Sequence, residues 1–214
     1  MNLVFIEANT LSEAWFLAVR KLFEAGTKYK IDRGSYKGQY RLEFDYFTLH
    51  VKYPGTLPMV PDVPAGIPAP CTMEYVESYL PYLLTGEKHK NEEYTYGQYL
   101  DPQIKKVIAM YKNDGCNTNQ AFMAVGDASS IDLPDPPCLR GIDTRIRDGK
   151  LNFIVYFRSW DLWGGLPGNL AGIELVKQYM ASEIGVENGE IIAASKGLHL
   201  YDHSWEIAKR AVRL

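Results

Sequence analysis

Apolar and polar positions along this chain change period several times, and each change predicts an element. Leu3 to Ile6 is a short apolar run that reads as a buried strand. Thr10-Leu-Ser-Glu13 follows with capping-box spacing, in which a hydroxyl and a carboxylate each satisfy an orphan backbone N–H. Beyond it Leu11, Ala14, Trp15, Ala18 and Leu22 fall on one helical face, and Gly26 stands where a left-handed residue would end the helix. Between Ile31 and Tyr53 the period drops to two. Leu42, Phe44 and Tyr46 alternate there with Glu43 and Asp45, as half-buried β structure requires. Six prolines in the seventeen residues from Pro54 to Pro70 remove backbone donors and predict a long surface connection.

A helix is expected around Glu74 to Leu84. Asp101-Pro102 then reads as cap and first residue of another, with Ile104, Val107, Ile108 and Tyr111 at helical spacing and Asn113-Asp114-Gly115 as its stop. Gln120 to Val125 is strand-like, and from Leu139 two strands meet at Asp148-Gly149, a strong hairpin signal. After Pro167 the positions Leu170, Ile173, Val176, Met180 and Ile184 predict a long core helix closed by Gly185. Ile191 to Ala194 and Leu198 to Tyr201 read as strands, and His203 to Val212 as a short last helix. The sum is an α+β fold, a mixed β-sheet packed with helices, in one domain over residues 1–214 without an internal repeat.

Composition narrows the function classes. At 46% hydrophobic and 23% charged residues the chain can bury a sizeable core, and its net charge of -3 supplies no basic field for nucleic acid. No apolar run approaches the roughly 20 residues that span a bilayer, and Glu7 arrives too early for a secretory signal, so no membrane is expected. Cys71, Cys116 and Cys138 lie far apart with no metal-ligand spacing, which predicts free thiols in a reducing cytoplasm and no metal.

Four stretches remain that could carry chemistry: Cys138 behind two prolines, "RSWDLWGGLPGN" at 158–169, "GLHLYDH" at 197–203, and "DRGS" at 32–35. Each has an ordinary structural reading. A lone cysteine is usually a small buried apolar residue, Arg158 with Asp161 an ion pair, His199 a satisfied strand histidine, and the glycines turn punctuation.

In this order and spacing, however, "PPC", "RSWDLWGGLPGNLAG" and "GLHLYDH" resemble the thymidylate synthase family. Its pattern is proline-cysteine, then R-S-x-D-x-x-x-G-x-P-x-N, then H-x-Y-x-x-H. The resemblance is good from Tyr96 to His203, and the short length looks most like the compact archaeal members. It implies that the Cys138 thiolate adds to carbon 6 of dUMP, so that carbon 5 attacks the methylene group of a reduced pterin and hydride transfer yields dTMP. The donor would be 5,10-methylene-tetrahydrofolate or 5,10-methylene-tetrahydromethanopterin. By the same resemblance Arg158, Ser159 and the mobile Arg33 hold the 5′-phosphate, and Arg158 also favours the thiolate. Asp161 orients the pyrimidine through its backbone amide, and Asn169 reads the uracil edge in preference to cytosine. His199 and Tyr201 bind the 3′-hydroxyl, and Tyr96 joins the network near carbon 5. Glu77, with Glu74 as alternative, is the nearest match to the glutamate that orders water. A homodimer packed sheet against sheet is implied as well.

The chain departs from the family where an arginine pair usually reaches across the dimer to the partner's phosphate. Thr118-Asn119 stands there, leaving Arg33, Arg140 or a lysine to substitute, and Leu139 replaces the histidine after the cysteine. The tail that closes over folate in typical members is expected to be missing after Leu214. Two other functions therefore stay open: hydroxymethyl transfer to dUMP or dCMP, and nucleotide binding without turnover.

Overall fold

The computed structural model describes residues 1–90 and 92–214. Its elements run β1 (Leu3–Ala8), α1 (Leu11–Ala25), β2 (Thr27–Lys30), β3 (Tyr40–Glu43), β4 (Tyr46–Val51), α2 (Met73–Leu84), α3 (Gly97–Asn113), β5 (Phe122–Ala124), β6 (Leu139–Arg147) and β7 (Lys150–Phe157). They continue with β8 (Trp160–Asp161), α4 (Gly165–Ile184), β9 (Glu187–Ser195), β10 (Leu198–Tyr201) and α5 (Trp205–Val212). This is the α+β arrangement expected. Among the described residues no helix is long and apolar enough to cross a membrane.

Six strands form one mixed sheet in the order β1-β4-β9-β7-β6-β5, and four form a second in the order β2-β3-β10-β8. The β6–β7 hairpin turns at Asp148 and Gly149, both at positive φ, as a two-residue turn matched to strand twist demands. One face of the large sheet is covered by α1 and α4, with α2 and α3 packed on α4, and its inward residues join the helices in one buried cluster from Val4 to Val212. The other face is open. Its register lines up Phe5, Thr48, Ala194 and Tyr156 in one row, and Glu7, His50, Ile192, Ile154, Asp143 and Phe122 in the next.

The parallel neighbours β7 and β9 leave the large sheet together, at Phe157 and Ser195, and pair again as β8 and β10 in the small one. A cleft opens where they bend from one sheet to the other. The turn after β8 is tied to the core by Trp15 of α1, whose indole N–H donates to the Leu162 carbonyl at 2.9 Å.

Several local expectations change. The Thr10 hydroxyl does accept the Glu13 N–H, but the Glu13 carboxylate takes the Asn9 N–H rather than that of Thr10. Gly26 is extended, at φ -72, and is needed for space, because a Cβ there would press on the Leu22 carbonyl. Asp101-Pro102 lies inside α3, which starts a turn earlier where the Thr95 hydroxyl accepts the Gln98 N–H; Asp101 pairs with Lys105 instead. α4 likewise starts at Gly165, two residues before Pro167, because Asp161 supplies the cap from upstream. β1 alternates, with Leu3 and Phe5 exposed, since it edges a sheet with one open face.

Candidate active site

The opening between the sheets is a cleft of about 800 Å³, within the size range of small-ligand sites. Cys138 lies on it, half-buried, at the point where the chain leaves Pro136-Pro137 to enter β6. Burial pushes its thiol up; the Arg158 guanidinium opposes that shift and the Asp135 carboxylate adds to it. Beside it Tyr82, Tyr94 and Tyr96 pack ring to ring. The Tyr96 hydroxyl accepts the Leu139 N–H at 3.3 Å, which sets that phenol next to the cysteine, and burial holds it protonated. The Leu139 side chain points into the core.

Arg158 follows β7, and its N–H donates to the Cys138 carbonyl at 2.8 Å, so the strand ladder brings the pair together. Its guanidinium braces the cysteine segment: Nε donates to the Pro136 and Pro137 carbonyls, and Nη2 to Pro136 and to Asp135. Ser159 and Arg33 also line the cleft, Arg33 from the exposed loop between β2 and β3.

Asp161 presents a carboxylate and a backbone amide in different directions. Its carboxylate accepts the N–H groups of Gly164 and Gly165, each at 2.9 Å, and so caps α4. Along β8 the ladder uses the Trp160 and Leu162 N–H groups, which donate to Gly197 and His199 carbonyls. The Asp161 amide between them faces the free edge of the strand.

Asn169 is held on both sides of its amide. The Trp160 indole, which only donates, gives its N–H to Asn169 Oδ1 at 3.0 Å, and Asn169 Nδ2 donates to the Tyr79 hydroxyl at 3.0 Å. One N–H and one lone pair of the amide are left over. Asn169 does not line the 800 Å³ cleft itself, but sits behind it between β8 and α2.

His199 and Tyr201 both line the cleft from β10, their rings 4.7 Å apart. The His199 Nδ1–H donates to the Gly197 carbonyl at 2.8 Å, and Nε2 is buried without a hydrogen-bond partner among the described residues. Burial pulls the His199 pKa from 6.5 to about 4, so the ring is neutral and Nε2 is an acceptor. Tyr201 stacks on Tyr36 at 4.2 Å, and burial raises its hydroxyl to about 12.

Glu77 and Glu74 stay apart from these groups, exposed on α2 and outside the cleft. Two residues on a helix differ by about 200°, so Tyr79 faces inward where Glu77 faces solvent. Tyr79, Trp160, Arg41 and Lys196 were not picked out from the sequence. Signals existed for Trp160, which lies inside the 158–169 motif, and for Tyr79, one of a run of tyrosines at helical spacing (75, 79, 82). Thr118 and Asn119 lie outside the cleft, and Arg140 lines it. Among the described residues no group of three or more His, Cys, Asp and Glu could hold a metal ion.

A half-buried free thiol in an arginine-rich cleft of an α+β chain has the parts of a nucleophile site for an anionic ligand. The family model for thymidylate synthase matches residues 84–213. A Methanosarcina acetivorans protein named "Putative thymidylate synthase" is 32% identical over 97% of this chain and 94% of its own length. A Methanothermobacter thermautotrophicus protein of the same name is 27% identical over 97% and 98%. The thymidylate synthase of Listeria monocytogenes serotype 4a is 32% identical over 58% of this chain and 39% of its own. This chain belongs to the thymidylate synthase family.

Proposed function

We propose that this chain methylates dUMP reductively to dTMP, with Cys138 as the nucleophile on carbon 6 of the uracil ring. The observation that carries the reading is that Cys138, Arg158, Ser159, Asp161, His199 and Tyr201, dispersed over 64 positions of sequence (138 to 201), line one cleft. The Arg158 guanidinium beside this thiol opposes the upward shift that burial imposes, and so favours the thiolate that the addition needs. The pair left over on Asn169, one N–H and one lone pair, matches the 4-carbonyl and the imide N–H of uracil. Cytosine presents the opposite pattern. Neutral His199 accepts a sugar hydroxyl at Nε2, with Tyr201 beside it, and Tyr96 stands where a proton leaves carbon 5.

A reduced pterin carrying a methylene group, when bound, supplies the carbon and the hydride. A recess of about 630 Å³ lined by Tyr75, Tyr79, Tyr82, His89 and Glu92 fits it in kind, with flat aromatic faces for a ring system and polar groups for its edge. Tyr82 joins this recess to the cysteine. Glu77 has no part in this reading. The open sheet face, with Phe5, Phe122, Ile154, Tyr156 and Ile192 exposed, suits a second copy of the chain, and sedimentation at micromolar concentration tests for the dimer.

Tritium release from [5-³H]dUMP, measured with methylene-tetrahydrofolate and with methylene-tetrahydromethanopterin, tests the reaction and names the donor. Release with one of them and a product of dTMP mass is expected. Binding of dUMP without release refutes turnover, and a heavier hydroxymethyl product refutes the hydride step.

A further inference from the structure

We propose that Arg140, assisted by Lys196 and Arg33, holds the phosphate of the bound nucleotide, so that the chain carrying Cys138 supplies the whole cation set itself. This rests on the reading of the cleft as a nucleoside monophosphate site.

Arg158 cannot serve alone. A guanidinium has five N–H donors, and here Nε and both hydrogens of Nη2 are spent on the Pro136 and Pro137 carbonyls and on Asp135. Only Nη1 is left for a ligand. Arg41 is similarly engaged, by Glu43 at 2.7 Å and by the Tyr29 hydroxyl.

Arg140, Lys196 and Arg33 differ in that none makes a side-chain hydrogen bond or ion pair among the described residues, and all three line the cleft. The carboxylates around them are occupied elsewhere. Asp127 caps a 3-10 turn through Ser129, Asp135 pairs with Arg158, Asp161 caps α4, and Glu43, which feels the Lys196 charge, is paired with Arg41. Three cations that make no side-chain hydrogen bond or ion pair among the described residues thus line one cleft of a chain whose net charge is -3, a field suited to a dianion.

The backbone aims Arg140. Leu139 is opposite Phe157 and Gly141 opposite Tyr156, so Arg140 is the extra residue of a β-bulge one step past Leu139. Such a bulge re-aims a side chain that regular alternation would have placed on the sheet face. Gly126, at φ +78, leaves the room: a Cβ there would lie 3.0 Å from Arg140 Nη1.

The test is calorimetric titration of the full chain with dUMP and with deoxyuridine, which lacks the phosphate. Arg140→Gln should weaken dUMP by about tenfold to a hundredfold, the scale of lost charge-assisted hydrogen bonds, and leave deoxyuridine unchanged. Lys196→Gln should cost about threefold to tenfold, and Arg140→Lys should recover part of the loss. Unchanged dUMP affinity in Arg140→Gln overturns the cation set while leaving the dUMP reading standing. If the wild type binds dCMP or dTMP but not dUMP, the function reading falls, and an Arg140-dependent loss with that nucleotide still supports the cation set. A wild type that binds none of the three overturns both.

Discussion

Stability should depend on pH through His199 in a way that can be isolated. The residue is 3% exposed, its Nε2 has no hydrogen-bond partner among the described residues, and its pKa falls from 6.5 to about 4, chiefly through burial. The nearby Arg41 guanidinium lowers it further, while the Gly197 carbonyl and Asp161 oppose the shift. Between those two values the unfolded chain takes up a proton that the folded chain refuses, so stability declines as pH falls. The cost is absent above about pH 6.5, grows through the window and is complete below about pH 4. The whole difference corresponds to about 3 kcal/mol, of which about 2 kcal/mol is lost by pH 5. Urea unfolding of the wild type and of His199→Gln at pH 7 and pH 5 measures it, because carboxylates common to both cancel in the comparison. The wild type should lose about 2 kcal/mol more than the variant over that interval. Equal losses in the two proteins, or a ring titration by NMR centred above pH 6, would refute the argument. Either result would also remove the neutral acceptor assigned to the sugar hydroxyl.

Three further outcomes follow from the same geometry. Tyr79→Phe deprives Asn169 Nδ2 of its acceptor, so chemical denaturation should show a loss of about 1–3 kcal/mol, and competition binding a reduced preference for dUMP over dCMP. Asp135→Asn should speed alkylation of Cys138 by iodoacetamide several-fold and Arg158→Gln should slow it, with rates rising with pH in every case; peptide mass mapping separates Cys138 from Cys71 and Cys116. Glu174 and Lys177 form a fully buried ion pair at 3.0 Å, so Glu174→Gln should cost about 3–5 kcal/mol in urea unfolding by leaving the lysine charge uncompensated.

Much of the fold was legible because period and punctuation are local. The Asp148-Gly149 hairpin, the long helix ending at Gly185 and the proline-rich connection after Pro54 all follow from short stretches of residues. Where local signals misled, a contact from elsewhere had precedence. Asp101-Pro102 has the form of a helix start, yet Thr95 caps α3 earlier, and the helix accepts a proline in its second turn. Gly26 looks like a left-handed stop, but its missing side chain matters only because the Leu22 carbonyl lies against it. Among the site residues, Arg158, Ser159 and Asp161 were readable as a motif. Arg41 and Lys196 were not, since a cation in a strand or a turn carries no mark of the cleft it will face.

By itself the sequence determined the α+β class, the order of the cysteine, arginine and histidine motifs, and the family to which they belong. Only the tertiary structure decided which of their atoms are free. Asn169 is oriented by a tyrosine ninety positions away, Arg158 is largely consumed by the prolines it braces, and Arg140 is aimed by a bulge defined across a strand pair. Hydrogen-bond direction and burial belong to pairs of groups, and the partners here are brought together by folding, not by proximity along the chain.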